Sequence, residues 1–153
     1  GYIMKKTALL ICLAATAAAS AETISLEVSN NPAFRQYSAN AKVDSAFKSI
    51  QNGCGDFGVA PISLSPKKDA KYFVAVCVMG GSASTEFQIL SSKHGKSKVL
   101  LEDGGYGINI LPQQHNGLHD IAVTEGNARY CTETRYRFNG KTYRPYKRKS
   151  CMG

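Results

Sequence analysis

His115 and His119, with Asp120 directly after, form an H-x3-H-D string. On a helix, two histidines four residues apart share a face and can hold zinc. Here Asn116-Gly117 lies between them and signals a turn, so the string flanks a hairpin. A catalytic zinc needs three protein ligands and one open position. We therefore read His115, His119 and Asp120 as solvated turn residues, expect no metal and no cofactor, and read His94 in Lys93-His94-Gly95-Lys96 the same way. The chain has no G-x-S-x-G nucleophile elbow and no C-x-x-C redox pair. Gly104-Gly105-Tyr106-Gly107 lacks the Lys-Ser/Thr of a phosphate-binding loop and reads as a turn. The groups enzymes use for proton transfer do not cluster, so a small hydrolase is only the third reading.

Charge is the stronger signal. The 153 residues hold 19 Lys and Arg against 11 Asp and Glu, a formal net charge of +8. Eight basic residues and the single acid Glu133 fall within 129–149, whereas 22–128 holds nine basic and ten acidic residues. Asn139-Gly140 predicts a two-residue type I′ hairpin, since that turn needs positive φ at both central positions. Such a turn pairs Arg135 with Arg144, Arg137 with Thr142 and Glu133 with Tyr146 on one face. It pairs Tyr136 with Tyr143 and Phe138 with Lys141 on the other, where Tyr130, Tyr136, Phe138 and Tyr143 would pack on the domain. Arginine forks match carboxylates and phosphates bidentately. The expected partner-binding set is Arg135, Arg137, Arg144, Lys147 and Arg148, facing an anionic protein surface or a cell-envelope polymer. The plain alternative is an edge hairpin that uses charge to resist aggregation.

The first 21 residues carry an address. Gly1-Tyr2-Ile3 read as read-through residues before Met4; Lys5-Lys6 form a positive start, 8–19 an apolar run, and Ala19-Ser20-Ala21 a small-x-small cleavage site. Residues 1–21 are thus expected to be read-through plus a cleaved secretory signal, and 22–153 one small domain. The apolar run falls short of the roughly twenty residues a transmembrane helix needs. Cleavage would remove Lys5, Lys6 and Cys12, leaving 17 basic against 11 acidic residues, net +6, and four cysteines. The Lys-Lys start and Ala-rich run have a bacterial look, which makes the protein periplasmic or secreted. Such an address argues against nucleic acid as a partner. Four cysteines in a short exported chain imply two disulfides with three possible connectivities. The hairpin register places Cys131 opposite Arg148, three residues from Cys151, which favours Cys131–Cys151 and hence Cys54–Cys77.

With 43% hydrophobic and 20% charged residues the chain is globular, and its length excludes a multidomain enzyme. Alternation of Ile24, Leu26 and Val28 with polar residues predicts a short strand. Asn31-Pro32 is a helix start, and Phe34, Tyr37, Ala41, Phe47 and Ile50 keep helical spacing up to Gly53, predicting a helix over 33–52. The Gly-, Pro- and Ser-rich stretch 54–69 reads as a loop. Strands are predicted over 72–79, 85–91, 98–102, 106–111, 119–124, 129–138 and 141–146. Turn signals fall between most of them, at Asp103-Gly104-Gly105 among others. The expected fold is α+β: one N-terminal helix packed on an antiparallel meander with two disulfides.

Asn116-Gly117-Leu118-His119-Asp120-Ile121, followed by Tyr136-Arg137-Phe138-Asn139-Gly140-Lys141-x-Tyr143, resembles a C-terminal strand module of small exported bacterial proteins. Its NG-x-x-DI element also resembles a blade edge of FG-GAP repeats. It occurs once and lacks their run of calcium-binding acids, so the resemblance implies neither a propeller nor bound calcium. The expected function is an exported, non-enzymatic binding protein, of the inhibitor or immunity type toward a cell-wall hydrolase or toxin. The alternative is an envelope accessory protein holding peptidoglycan or anionic lipid through the basic hairpin.

Overall fold

The computed structural model describes residues 22–27, 31–34, 54, 56–67, 70–78, 85–94, 96–126 and 129–152. The expected signal segment lies outside the described residues. Nine strands follow one another: β1 Glu22–Ser25, β2 Asp56–Pro61, β3 Lys71–Val78, β4 Thr85–Lys93, β5 Lys96–Gly105, β6 Gly107–His115, β7 Leu118–Gly126, β8 Cys131–Phe138 and β9 Tyr143–Ser150. They form two antiparallel sheets, one of order β1-β6-β7-β8-β9 and one of order β2-β3-β4-β5.

The α+β expectation is corrected. Among the described residues 73% are in strands and 3% are helical, with no helix of seven residues or more. Pro32–Phe34 make a single helical turn, which Asn31 caps by accepting from Ala33 N at 3.1 Å through its side chain. The rest of the expected helix, 35–52, lies outside the described residues. The apolar face of each sheet is covered mainly by the other sheet. Ile24, Ile108, Ile121, Val123 and Tyr136 of the first pack with Val74, Val76, Phe87, Ile89 and Leu101 of the second in one buried cluster. Alternation along strands such as β6, buried at Ile108 and Ile110, supplies such a face, as sheet-on-sheet packing requires. At about 25 cal/mol per Å² of apolar surface removed from water, that face is the main stabilising term.

Gly104-Gly105-Tyr106-Gly107 is not a turn. β5 runs through Gly105, Tyr106 interrupts it, and β6 begins at Gly107 in the other sheet. The chain changes sheets here with almost no connection, so the backbones must come close. A Cβ on Gly105 would lie 2.8 Å from Val123 Cγ1 and 2.9 Å from Thr124 O, and Tyr106 N donates to Thr124 O at 3.0 Å. Only glycine fits that approach.

The expected loop 54–69 is corrected as well, because 56–61 forms β2 on the edge beside β3. Pro61 is its last residue, where a missing N–H costs the ladder little. β3 lies between β2 and β4 as the expected doubly buried strand. Val74 and Val76 enter the main core, while Ala75 joins Val59 and Leu90 in a second buried cluster. The disulfides join Cys54 to Cys77 and Cys131 to Cys151, with Cα separations of 5.4 and 5.3 Å. No helix among the described residues is long and apolar enough to cross a membrane.

Candidate functional site

The basic residues sit on a hairpin whose register differs from the two-residue prediction. Phe138 pairs with Tyr143 and Arg137 with Arg144, so the loop spans four residues, Asn139 to Thr142. Asn139 Oδ1 accepts from the N–H groups of Lys141 and Thr142, both at 2.9 Å, and Asn139 N donates to Thr142 O at 3.0 Å. Of the two central residues only Gly140 has positive φ, 96°. Past Arg137 the pairing shifts: Tyr136 opposes Pro145 but Arg135 opposes Lys147, leaving Tyr146 as a bulge. The longer loop moves the partners by two residues and the bulge by one more. Together they make up the three residues separating Cys151 from the predicted partner of Cys131. Cys151 N then donates to Cys131 O at 3.1 Å, and the sulfurs join.

A two-residue shift preserves which way side chains point. Tyr136 and Tyr143 are buried as predicted, with the Phe138 and Tyr143 ring centroids 5.5 Å apart, while Arg144 opposes Arg137 rather than Arg135. Tyr130 does not join them; it is 57% exposed.

The structure separates the five predicted cations. Arg135 Nε lies 2.9 Å from Glu133 Oε1, a hydrogen bond that raises the guanidinium pKa, and Lys149 Nζ reaches the same oxygen at 3.7 Å. Arg137 Nε lies 3.4 Å from Asp120 Oδ2, and its guanidinium carbon sits 4.1 Å from the Tyr146 ring centroid. Arg148 meets Glu125 at 3.3 Å on the surface. Arg144 and Lys147 make no ion pair among the described residues and are exposed. From Arg144 to Ser150, every residue of β9 is exposed.

The histidines are not the solvated pair expected. Asp120 is the one buried charged side chain among the described residues, and His115 Nδ1 lies 2.7 Å from its Oδ1. Arg137 on the second oxygen gives the buried carboxylate a partner on each side, which burial of a charge requires. His119 Nδ1 donates to Leu111 O at 2.8 Å, and Tyr143 donates its hydroxyl proton to His119 O at 2.7 Å. Burial, aided by the Asp120 charge, holds the Tyr143 hydroxyl well above its ordinary pKa. Asp120, through Arg137, and the His119 carbonyl, through Tyr143, thus tie the β6–β7 and β8–β9 hairpins together, while the His115 and His119 rings bond within the first. No group of three or more His, Cys, Asp or Glu side chains suited to a metal occurs among the described residues. His94 sits exposed in the β4–β5 turn with φ 52°.

Sequence reasoning missed a groove. The β8–β9 hairpin ends the larger sheet and lies beside β5, the last strand of the smaller sheet. Two lobes, of about 540 and 420 Å³, open between them and share Asp103, Tyr136 and Pro145. The larger also meets Glu125, Tyr146, Lys147 and Arg148, and the smaller runs along 99–103 of β5 and meets Arg144. Tyr136 donates its hydroxyl to Asp103 Oδ2, and Gly104 N donates to Asp103 Oδ1 at 2.8 Å. Burial and the Asp103 hydrogen bond raise the Tyr136 pKa, with the Glu125 charge adding to them. Four strands contribute these residues, so no local motif marks the groove. Comparison with protein-family models, curated proteins and solved structures returns no match to this chain.

Proposed function

We propose that this is an exported, non-enzymatic binding protein whose basic hairpin docks an acidic protein surface, as an inhibitor or immunity-type partner of a cell-wall hydrolase or toxin in the periplasm. One observation carries the proposal. Arg144 and Lys147 are exposed and without acidic partners among the described residues, on a strand held by the Asn139 loop at one end and a disulfide at the other. Cations on an ordered strand lose little freedom on docking, whereas those already paired with Glu133, Asp120 and Glu125 would first have to exchange partners. The contact set therefore narrows from five predicted residues to Arg144 and Lys147, with Arg135, Arg137 and Arg148 supporting them. Two disulfides suit an oxidising compartment.

The test is capture from envelope extracts at low and high salt. Wild type should retain a stoichiometric protein at low salt and release it at high salt. R144Q/K147Q should retain none, with its melting temperature unchanged. Equal capture by both proteins at both salts overturns the proposal. Sedimentation with cell-wall sacculi in place of a protein partner transfers the hairpin to peptidoglycan binding.

A further inference from the structure

Register sorts the hairpin's charges by face. Tyr136 and Tyr143 turn into the core, so Arg137 and Arg144, directly opposed, stand on the outer face of the larger sheet. The extra residue at Tyr146 turns Lys147 and Lys149 outward as well, opposite Arg135 and Glu133. Across β7–β9 this face therefore carries five cations, Arg135, Arg137, Arg144, Lys147 and Lys149, against two acids, Glu133 and Asp120. Acids gather on the other side of the hairpin, where Glu102, Asp103 and Glu125 line the groove. An anionic partner is drawn to the outer face and not to the groove.

On that face the arginines of β8 are aimed. Arg137 donates through Nε to the buried Asp120 at 3.4 Å, and its guanidinium carbon lies 4.1 Å from the Tyr146 ring centroid. Arg135 donates through Nε to Glu133 at 2.9 Å. A bond at Nε holds a guanidinium by its side and leaves the end-on fork of Nη1 and Nη2, which matches the two oxygens of a carboxylate. Each arginine can thus keep its own acid and still share a carboxylate bound by the cation opposite. Those cations, Arg144 and Lys147, make no ion pair among the described residues. Opposed cations repel when nothing lies between them, and an anion there relieves the repulsion. The two pairs stand two residues apart along β8, about 7 Å at roughly 3.4 Å per residue.

We propose that each pair seats one carboxylate, Arg137 with Arg144 and Arg135 with Lys147, and that the partner is an acidic protein surface presenting two carboxylates about 7 Å apart. Asp120 and Glu133 are positioning residues, which touch no ligand and hold the arginine forks toward it. This rests on the acidic-partner reading above and gives its docking surface a geometry.

The probe is the end-blocked peptide Thr-Glu-Thr-Glu-Thr, titrated by NMR against the folded protein. Amides of 135–137 and 144–147 should shift, and those of 99–103 should not. Replacing one glutamate by Gln should weaken binding about tenfold, the loss of one charge-assisted contact. Thr-Glu-Glu-Thr, whose side chains diverge when extended, should bind no better than the peptide with one glutamate. R144Q and K147Q each leave one seat, so each should bind the peptides with one and two glutamates equally. E133A should weaken binding about threefold by freeing Arg135, and E133Q, which still accepts from Nε, should restore it. Simple attraction predicts the opposite, since both changes remove a negative charge. Thermal melts show that each variant is folded. No binding, shifts at 99–103, tighter binding by E133A, or discrimination between the peptides surviving in R144Q or K147Q would each overturn the two-seat proposal, as would displacement of the peptide by inorganic phosphate at equal concentration. If these tests fail while extract capture still depends on Arg144 and Lys147, the seats fall and the acidic-partner reading stands. If they succeed while capture ignores both residues, the seats stand and that reading falls.

Discussion

Asn-Gly occurs in two hairpins of the larger sheet, β6–β7 and β8–β9, and folds differently in each. At Asn116-Gly117 both residues have positive φ, 53° and 86°, and His115 pairs directly with Leu118 in the two-residue turn that the dipeptide favours. At Asn139-Gly140 the same dipeptide opens a four-residue loop, with the Asn139 side chain acting as acceptor for two backbone N–H groups. In the first turn the backbone of Asn does the bending, and its side chain is left to donate to Phe138 O at 2.9 Å. In the second the side chain shapes the loop. The dipeptide supplies a local preference of modest size, and the rest of the strand pair decides whether it is used. β8 and β9 must bring Cys131 opposite Cys151 and keep Tyr143 buried, and the two-residue turn leaves the cysteines three positions out of register.

Removing the disulfide should have the largest effect on this contrast. C131S/C151S should lower stability by about 3 kcal/mol for a loop of this length, read from urea midpoints, and should loosen β8–β9 pairing in hydrogen exchange while the Asn116-Gly117 turn is unchanged. Equal loosening of both hairpins would mean that the disulfide does not set the register. Next comes R137Q, which leaves the fully buried Asp120 with His115 alone and should cost about 1–3 kcal/mol. R144Q, on the residue directly opposite, should stay within about 0.5 kcal/mol or stabilise slightly by relieving the opposed arginines.

The asparagines separate the two turns more finely. N139A should cost about 0.5–2 kcal/mol, as loss of a helix cap does, and N139S should recover most of it because a hydroxyl can accept the same N–H groups. N116S should recover little, since that site needs positive φ and a long donor. Similar losses for the two serine variants would erase the distinction.

The smallest effect at neutral pH belongs to titration. Tyr136 and Tyr143 have raised pKa values in the folded protein, so the stability they contribute is complete below their ordinary value of 10.0 and falls as pH rises above it. Tyrosinate absorbance should therefore lag behind that of the unfolded chain above pH 10, with alkaline unfolding following, and Y136F and Y143F should each reduce the lag. A titration superimposable on that of the unfolded chain would contradict their burial.

Strands were legible where period-two alternation and turn residues are local features, as in 85–91 and 119–124. The buried face of β8 was legible for the same reason, because a two-residue register error leaves side-chain direction intact. Helical spacing over 33–52 invited a cover for the sheet, but spacing does not say what lies opposite an apolar face. At Gly104-Gly105-Tyr106-Gly107 the glycines were read as a turn, although they serve a close backbone approach between sheets. The five cations were legible as a cluster; which of them are already held by Glu133, Asp120 and Glu125 was not.

Composition and spacing alone determined the charge gradient, the strand-forming segments other than β2 and, through hairpin proximity, the cysteine pairs. These depend on side-chain chemistry and on short stretches of chain. The tertiary structure alone decided the division into two sheets, the burial of Asp120 between His115 and Arg137, and the groove beside β5. Each of these joins residues far apart in sequence, where loop closure carries an entropic cost that only the assembled core offsets.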